Sequence, residues 1–193
     1  GADFYTSNCH KWLCAPKGAG FVWARADRRE ATRHAILSHG ANAPTQERSR
    51  FHNEFDWAGT DDPAAWLCVG EAIEFLGGLL PGGWPAVWAH NHALVLEARA
   101  LLCEGLGVAL PAPGDMLGSL ASIPLPEGGA PATRLMHVDP LQVQLWREFK
   151  IEVPVMTWPA APRRVVRIAA QLYNSRADYE YLAHALRQLL FRA

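Results

Sequence analysis

A run of apolar residues at helical spacing near the middle of the chain constrains the fold more than any other feature. Val87, Trp88, Leu94, Val95, Ala98, Leu101 and Leu102 fall on one stripe of a helix that begins near Trp84-Pro85. Gly105 is expected to stop it, and Gly82-Gly83 break the chain just before it. On either side lie blocks in which short strands and helices alternate. This pattern predicts an α/β chain in two parts, residues 1–82 and residues 83–193.

In the first block Gly20–Ala24 reads as a strand, aromatic and β-branched after a glycine turn, and Ala35–Ser38 as a second. Ala41–Arg50 is polar, contains Pro44 and reads as a loop. Asp62-Pro63 opens a helix whose apolar face is Ala65, Trp66, Val69, Ala72, Ile73 and Leu76, ended by Gly77-Gly78. In the second block Leu117–Leu125, Ile151–Val155 and Val165–Leu172 are predicted strands. Gly128-Gly129 with Pro131 predicts a turn, and Pro140–Phe149 a short helix. The last helix starts at Ser175, with Asp178 completing a capping box; Tyr179, Leu182, Ala185, Leu186 and Leu189 form its apolar face.

Composition removes several function classes. Half of the 193 residues are hydrophobic and 19% are charged, which excludes disorder as the main state. A net charge of −1 lacks the basic footprint of phosphate-backbone binding. No window reaches the ~20 apolar residues of a membrane span; Val87–Leu102 is interrupted by His90, Asn91, His92, Glu97 and Arg99. Cys9 and Cys14 are too far apart for a CxxC pair, and Cys68 and Cys103 are isolated, so four reduced thiols and a cytoplasmic location are expected. His90-Asn91-His92 resembles a nuclease tripeptide, yet no partner stands at metal-ligand spacing, and no metal is expected. The chain opens at Gly1 with neither initiator Met nor signal peptide and reads as part of something longer.

The densest chemical text is Asn8-Cys9-His10-Lys11-Trp12, followed by Ala15-Pro16-Lys17-Gly18-Ala19-Gly20-Phe21. A lysine framed by His10, Trp12, Leu13 and a Pro-Gly turn is expected to be partly buried. Burial favours the neutral, nucleophilic amine that attacks carbonyl compounds. The alternative is a solvated lysine. By themselves Arg167, alternating with apolar residues, reads as the exposed face of a strand, and Gly59-Thr60 as a turn before a helix.

These residues carry a resemblance. Asp3-Phe4-Tyr5, Asn8, His10-Lys11-Trp12, Pro16-Lys17-Gly18 and Gly20-Phe21 resemble the cofactor-lysine segment of the class V aminotransferase superfamily, fold-type I enzymes that use pyridoxal 5′-phosphate. Ser38-His39-Gly40, Phe55-Asp56-Trp57-Ala58-Gly59-Thr60-Asp61, Ile151–Val155 and Arg167-Ile168 through Leu172-Tyr173-Asn174-Ser175 are similar to its isopenicillin N epimerase-like group, in the same order. The resemblance implies that 1–82 is the end of the pyridoxal-phosphate-binding large domain. The remaining residues, 83–193, would be a linking helix and a small C-terminal α+β domain.

The resemblance further implies roles. Lys11 would form the internal aldimine and shuttle the α-proton of an amino-acid substrate, with His10 beside the cofactor. Gly59 and Thr60 would hold the cofactor phosphate, Thr60 across the interface of a homodimer, and Arg167 would grip the substrate carboxylate. The implied reaction is epimerisation, C–S bond elimination or transamination. No Cys lies between Cys103 and Arg167, which argues against persulfide chemistry. The group's pyridine-binding aspartate should lie upstream of the lysine, and Asp3 is too near to be it, so the isolated chain is expected to be inactive. The alternative is a non-catalytic remnant or dimerisation module of the same fold.

Overall fold

The computed structural model describes residues 1–45, 47–128 and 138–191. They divide into two compact units, Gly1–Gly78 and Leu79–Ala193.

The first unit begins with a hairpin. Strand β1 (Phe4–Asn8) runs antiparallel to β2 (Gly20–Ala24), with Thr6 opposite Val22 and Asn8 opposite Gly20. Thr6 Oγ1 donates to the Phe21 carbonyl at 2.7 Å, and Arg25 pairs with Asp3 at 2.5 Å at the far end. A single 3-10 turn, Ala26–Arg28, leads toward two short helices, α1 (His39–Asn42) and α2 (Arg50–Asp56). Ser49 caps α2 by accepting from the His52 N–H at 3.3 Å.

The strand expected at Ala35–Ser38 does not form. His34 Nδ1 lies 2.9 Å from Ile36 O and 3.1 Å from Ile36 N, so the ring engages locally the backbone groups a ladder would need. Ile36 and Leu37 consequently lie exposed. The helix expected after Asp62-Pro63 is divided at Cys68 into α3 (Ala64–Leu67) and α4 (Val69–Gly78). Asp62 Oδ1 accepts from the Ala64 N–H at 2.9 Å, as its position before Pro63 suggested. Ala65, Val69, Ala72 and Leu76 keep one helical phase across the break and face inward, whereas Trp66 and Ile73, expected on the same face, lie at the margin of that stripe and are exposed.

The second unit is built on α5 (Gly83–Leu106). Gly82 at φ +97° and Gly107 at φ +67° bound it, both in the region that favours glycine. The helix therefore continues through Gly105 and ends later than the sequence suggested. Val87, Asn91, Val95, Ala98, Arg99, Leu102, Cys103 and Leu106 are its buried residues, and Trp88 is exposed. A 3-10 turn (Gly114–Met116) precedes β3 (Leu120–Leu125); α6 (Pro140–Phe149), β4 (Val155–Thr157), β5 (Arg164–Ala169) and α7 (Arg176–Leu190) follow.

The sheet is antiparallel in the order β3-β5-β4, with Ser122 opposite Arg167. Regular pairing of β4 starts only after Pro154, which has no N–H to give, although Pro154 O still accepts from Arg167 N at 3.1 Å. Val95, Leu102, Ile123, Leu145, Val166, Ile168 and Leu186 meet in one core between the sheet, α5, α6 and α7. Asp139 caps α6 through the Leu141 N–H at 2.8 Å and pairs with Arg164 at 2.9 Å. Of the turn expected at Gly128-Gly129 with Pro131, Gly128 donates its N–H to Pro162 O at 3.1 Å; Gly129 and Pro131 lie outside the described residues.

Candidate active site

The loop joining β1 to β2 is held by its smallest residues. Cys9 N–H donates to Ala19 O at 3.0 Å and Ala15 N–H to Cys9 O at 3.1 Å, continuing the hairpin's hydrogen bonding past the strands. Cys9, Ala15 and Ala19 are buried and form a small core, with Leu13, Ala65, Val69 and Ala72 packed against it. Gly18, at φ +100°, turns the chain back; a Cβ there would stand 3.8 Å from the Ala65 methyl.

Lys11 sits between the anchored ends of this loop, in a tight turn closed by Cys14 N–H donating to Lys11 O at 3.1 Å. It is exposed, not partly buried as its neighbours suggested. The loop buries its small residues, and the turn between Cys9 and Ala15 projects outward. His10 is half-buried, and its Nδ1 lies 3.2 Å from Ala19 O. A carbonyl only accepts, so the proton belongs on Nδ1 and the neutral ring keeps Nε2 as an acceptor.

A second constellation lies at the Gly59-Thr60 turn. Gly59 adopts φ +135°, open only to glycine, and Thr60 follows it exposed. A Cβ on Gly59 would stand 3.7 Å from Ser38 Oγ, so the Ser38-His39-Gly40 and Gly59-Thr60 segments are neighbours in space. Gly40 has a steric reason of its own. A Cβ there would lie 2.0 Å from Asn53 O, so α1 meets α2 backbone against side-chain-free backbone.

Glu54, on α2, ties these pieces together. Its buried carboxylate accepts two bonds from Arg33, at 2.9 Å and 2.7 Å, one from Arg50 at 3.2 Å and one from His34 N–H at 3.4 Å. The Arg33 hydrogen bond, opposed in part by burial, holds the carboxyl well below its ordinary range, at about 2.

Between the hairpin and α1–α2 the first unit encloses an open cavity of about 1290 Å³, lined among others by Asn8, Trp23, His39, His52, Trp57 and Trp66. Lys11, His10, Gly59 and Thr60 are not among its lining residues. His34, Arg48 and His52, which do line it, carry no periodic or motif signal in the sequence; irregular segments bring them together. Arg167 belongs to the second unit. It stands on the exposed face of β5, and among the described residues its guanidinium has no hydrogen-bonding or ion-pair partner.

Residues 1–182 match the family model described as aminotransferase class-V. The chain belongs to the class V aminotransferase family. It is 33% identical over 211 residues to the putative L-cysteine desulfhydrase 1 of Oryza sativa subsp. japonica, covering 98% of this chain and 41% of that protein. It is 32% identical over 198 residues to the isopenicillin N epimerase of Amycolatopsis lactamdurans, covering 97% and 47%. The chain thus spans less than half the length of these relatives. The apo structure of a cysteine desulfurase from Thermococcus onnurineus NA1 superposes with a TM-score of 0.71 at 19% identity, covering 100% of this chain and 48% of that one. That likeness shows the fold, the α/β architecture of fold-type I pyridoxal-phosphate enzymes. Pyridoxal 5′-phosphate is the cofactor expected of the family.

The residues present fit that cofactor chemically. Lys11 offers a primary amine for its aldehyde, although without the burial expected to favour the neutral form, and a positive-φ glycine before a threonine suits a phosphate.

Proposed function

We propose that this chain carries the lysine-bearing part of a pyridoxal-phosphate-dependent enzyme that acts at the α-carbon of an amino acid, by epimerisation or by eliminating a C–S bond. The observation that carries this reading is Lys11 itself, an exposed amine on a loop fixed at both ends by Cys9, Ala15 and Ala19, next to an imidazole whose tautomer Ala19 O sets. The relatives' names, isopenicillin N epimerase, L-cysteine desulfhydrase and hercynylcysteine sulfoxide lyase, support reactions of this class.

When bound, the cofactor supplies the electron sink for charge developing at the α-carbon. Lys11 would hold it through Nζ and, once released, take the α-proton and return it. His10 would sit beside the cofactor. The Gly59 and Thr60 amides and the Thr60 hydroxyl would hold the phosphate, serving the partner subunit's site in a homodimer. Arg167 would orient the substrate carboxylate through a two-bond fork that Lys does not reproduce.

Incubation of the chain with pyridoxal 5′-phosphate, borohydride reduction and peptide mapping tests the assignment. Lys11 should carry the adduct in preference to Lys17 of the same loop, and Lys11→Ala should lose it while folding normally. Preferential labelling of Lys17 or Lys150 would remove the basis of this reading.

A further inference from the structure

Arg99 is an arginine in the wrong place for a purely structural one. It lies on α5 in the second unit, is 5% exposed, and its Nη1 donates to Ala112 O at 2.7 Å. Its Nε–H is closed off from solvent and has no hydrogen-bond partner among the described residues. Nε and Nη2 form the edge of a guanidinium that grips a carboxylate with two parallel bonds. Among the described residues Nε carries no hydrogen bond and Arg99 makes no ion pair. A buried cation without a counter-charge is costly, by several kcal/mol in general.

Arg99 is one of the residues lining a cavity of about 220 Å³, several times the ~30 Å³ share of one water, whose other walls are Pro111, Ala112, Leu117, Leu120, Ala121 and Ser122. Apolar side chains make up most of this wall, and Ser122 is its one hydroxyl. Phosphate or sulfate, with four oxygens to satisfy, would find too few donors. An anion with two oxygens and a hydrocarbon tail matches both parts of the site.

We propose that Arg99 and the cavity beside it form a binding site for a short aliphatic carboxylate. The carboxylate oxygens engage Nε and Nη2, and the alkyl chain lies against Pro111, Leu117 and Leu120. Because Nε is closed off, the segment carrying Ala112 must yield slightly on binding. The site is separate from Arg167 in role and residue, and does not depend on any cofactor.

Titration of the 15N-labelled chain with sodium propionate, followed at the arginine Nε–H resonances, tests this. Arg99→Lys identifies the Arg99 signal by deleting it. That signal should shift saturably with propionate but not with sodium chloride or phosphate at equal ionic strength. The unfolding temperature should rise with propionate in the wild-type chain and in Arg167→Ala, and not in Arg99→Lys, which keeps the charge without the fork. An unmoved Arg99 signal at saturating propionate would overturn the proposal. So would equal responses to chloride or phosphate, or loss of the effect in Arg167→Ala. Assigning the Arg99 Nε–H in the wild-type chain through correlation with its own Cδ and Hδ keeps the wild-type titration decisive even if Arg99→Lys folds poorly.

Discussion

Glu54 shows how one buried carboxylate organises a segment with little regular structure. Arg33, Arg50 and the His34 amide converge on it from three positions along the chain. Its carboxyl is held at about 2, below the 4.5 of an unperturbed glutamate, with the Arg33 hydrogen bond as the main cause. A depressed carboxylate contributes stability that is fully present above the unfolded value and lost as pH falls through the folded one. The first unit should therefore weaken progressively between about pH 4.5 and pH 2. Glu54→Gln should be less stable than wild type at neutral pH and should flatten that part of the profile, as read from thermal unfolding across the acid range. An unchanged acid profile in the variant would show that other groups set it. Gly40 belongs at the same scale. Its motif was visible in the sequence, but its reason, the Asn53 carbonyl 2.0 Å from where a Cβ would sit, exists only once α1 and α2 are placed.

Among the elements, α7 was the most legible and α3–α4 among the least. Ser175 and Asp178 form the reciprocal capping box that their spacing announced, with Ser175 N–H donating to Asp178 Oδ2 at 2.8 Å. Removing the hydroxyl in Ser175→Ala should destabilise the chain by about 1 kcal/mol, measured by denaturant unfolding of the second unit. A change near zero would place the cap's whole value in the Asp178 side chain. Pro140–Phe149 was equally readable, since Asp before Pro starts a helix by local chemistry alone. Ala35–Ser38 was not, because a strand needs a partner and the His34 ring engages the Ile36 backbone first. Trp66 and Ile73 misled for a related reason. The apolar stripe read from sequence was wider than the face the fold covers, which is the narrow line of Ala65, Val69, Ala72 and Leu76. On α5 the polar residues Asn91 and Arg99 are buried and Trp88 is not. Asn91 is admitted to the interior by its bond to Gln171 Oε1 at 2.8 Å, a partner far away in sequence.

At the scale of the molecule the two units differ in how much apolar surface they bury. The second has a continuous core drawn from α5, β3, α6, β5 and α7. The first relies on a small cluster around Cys9, Ala15 and Ala19, on the Glu54 network and on a two-stranded hairpin. Isolated hairpins are marginal, and local opening follows burial. Hydrogen exchange should be slowest at the amides of β5 and the central turns of α5 and α7, and far faster in β1 and β2. Equal protection in the two sheets would contradict this account.

The sequence alone determined the alternation of short elements around one long helix, the helix starts at Pro140 and Ser175, and the motifs that mark the class V family. Those signals are local or periodic, so they need no knowledge of what packs where. The tertiary structure decided what depends on distant partners. It put Lys11 in the open by burying Cys9, Ala15 and Ala19 beneath it, and brought Ser38 to Gly59. It also buried Arg99 with its Nε unpaired among the described residues. Each of these depends on which residues pack together in three dimensions, and no spacing along a sequence specifies it.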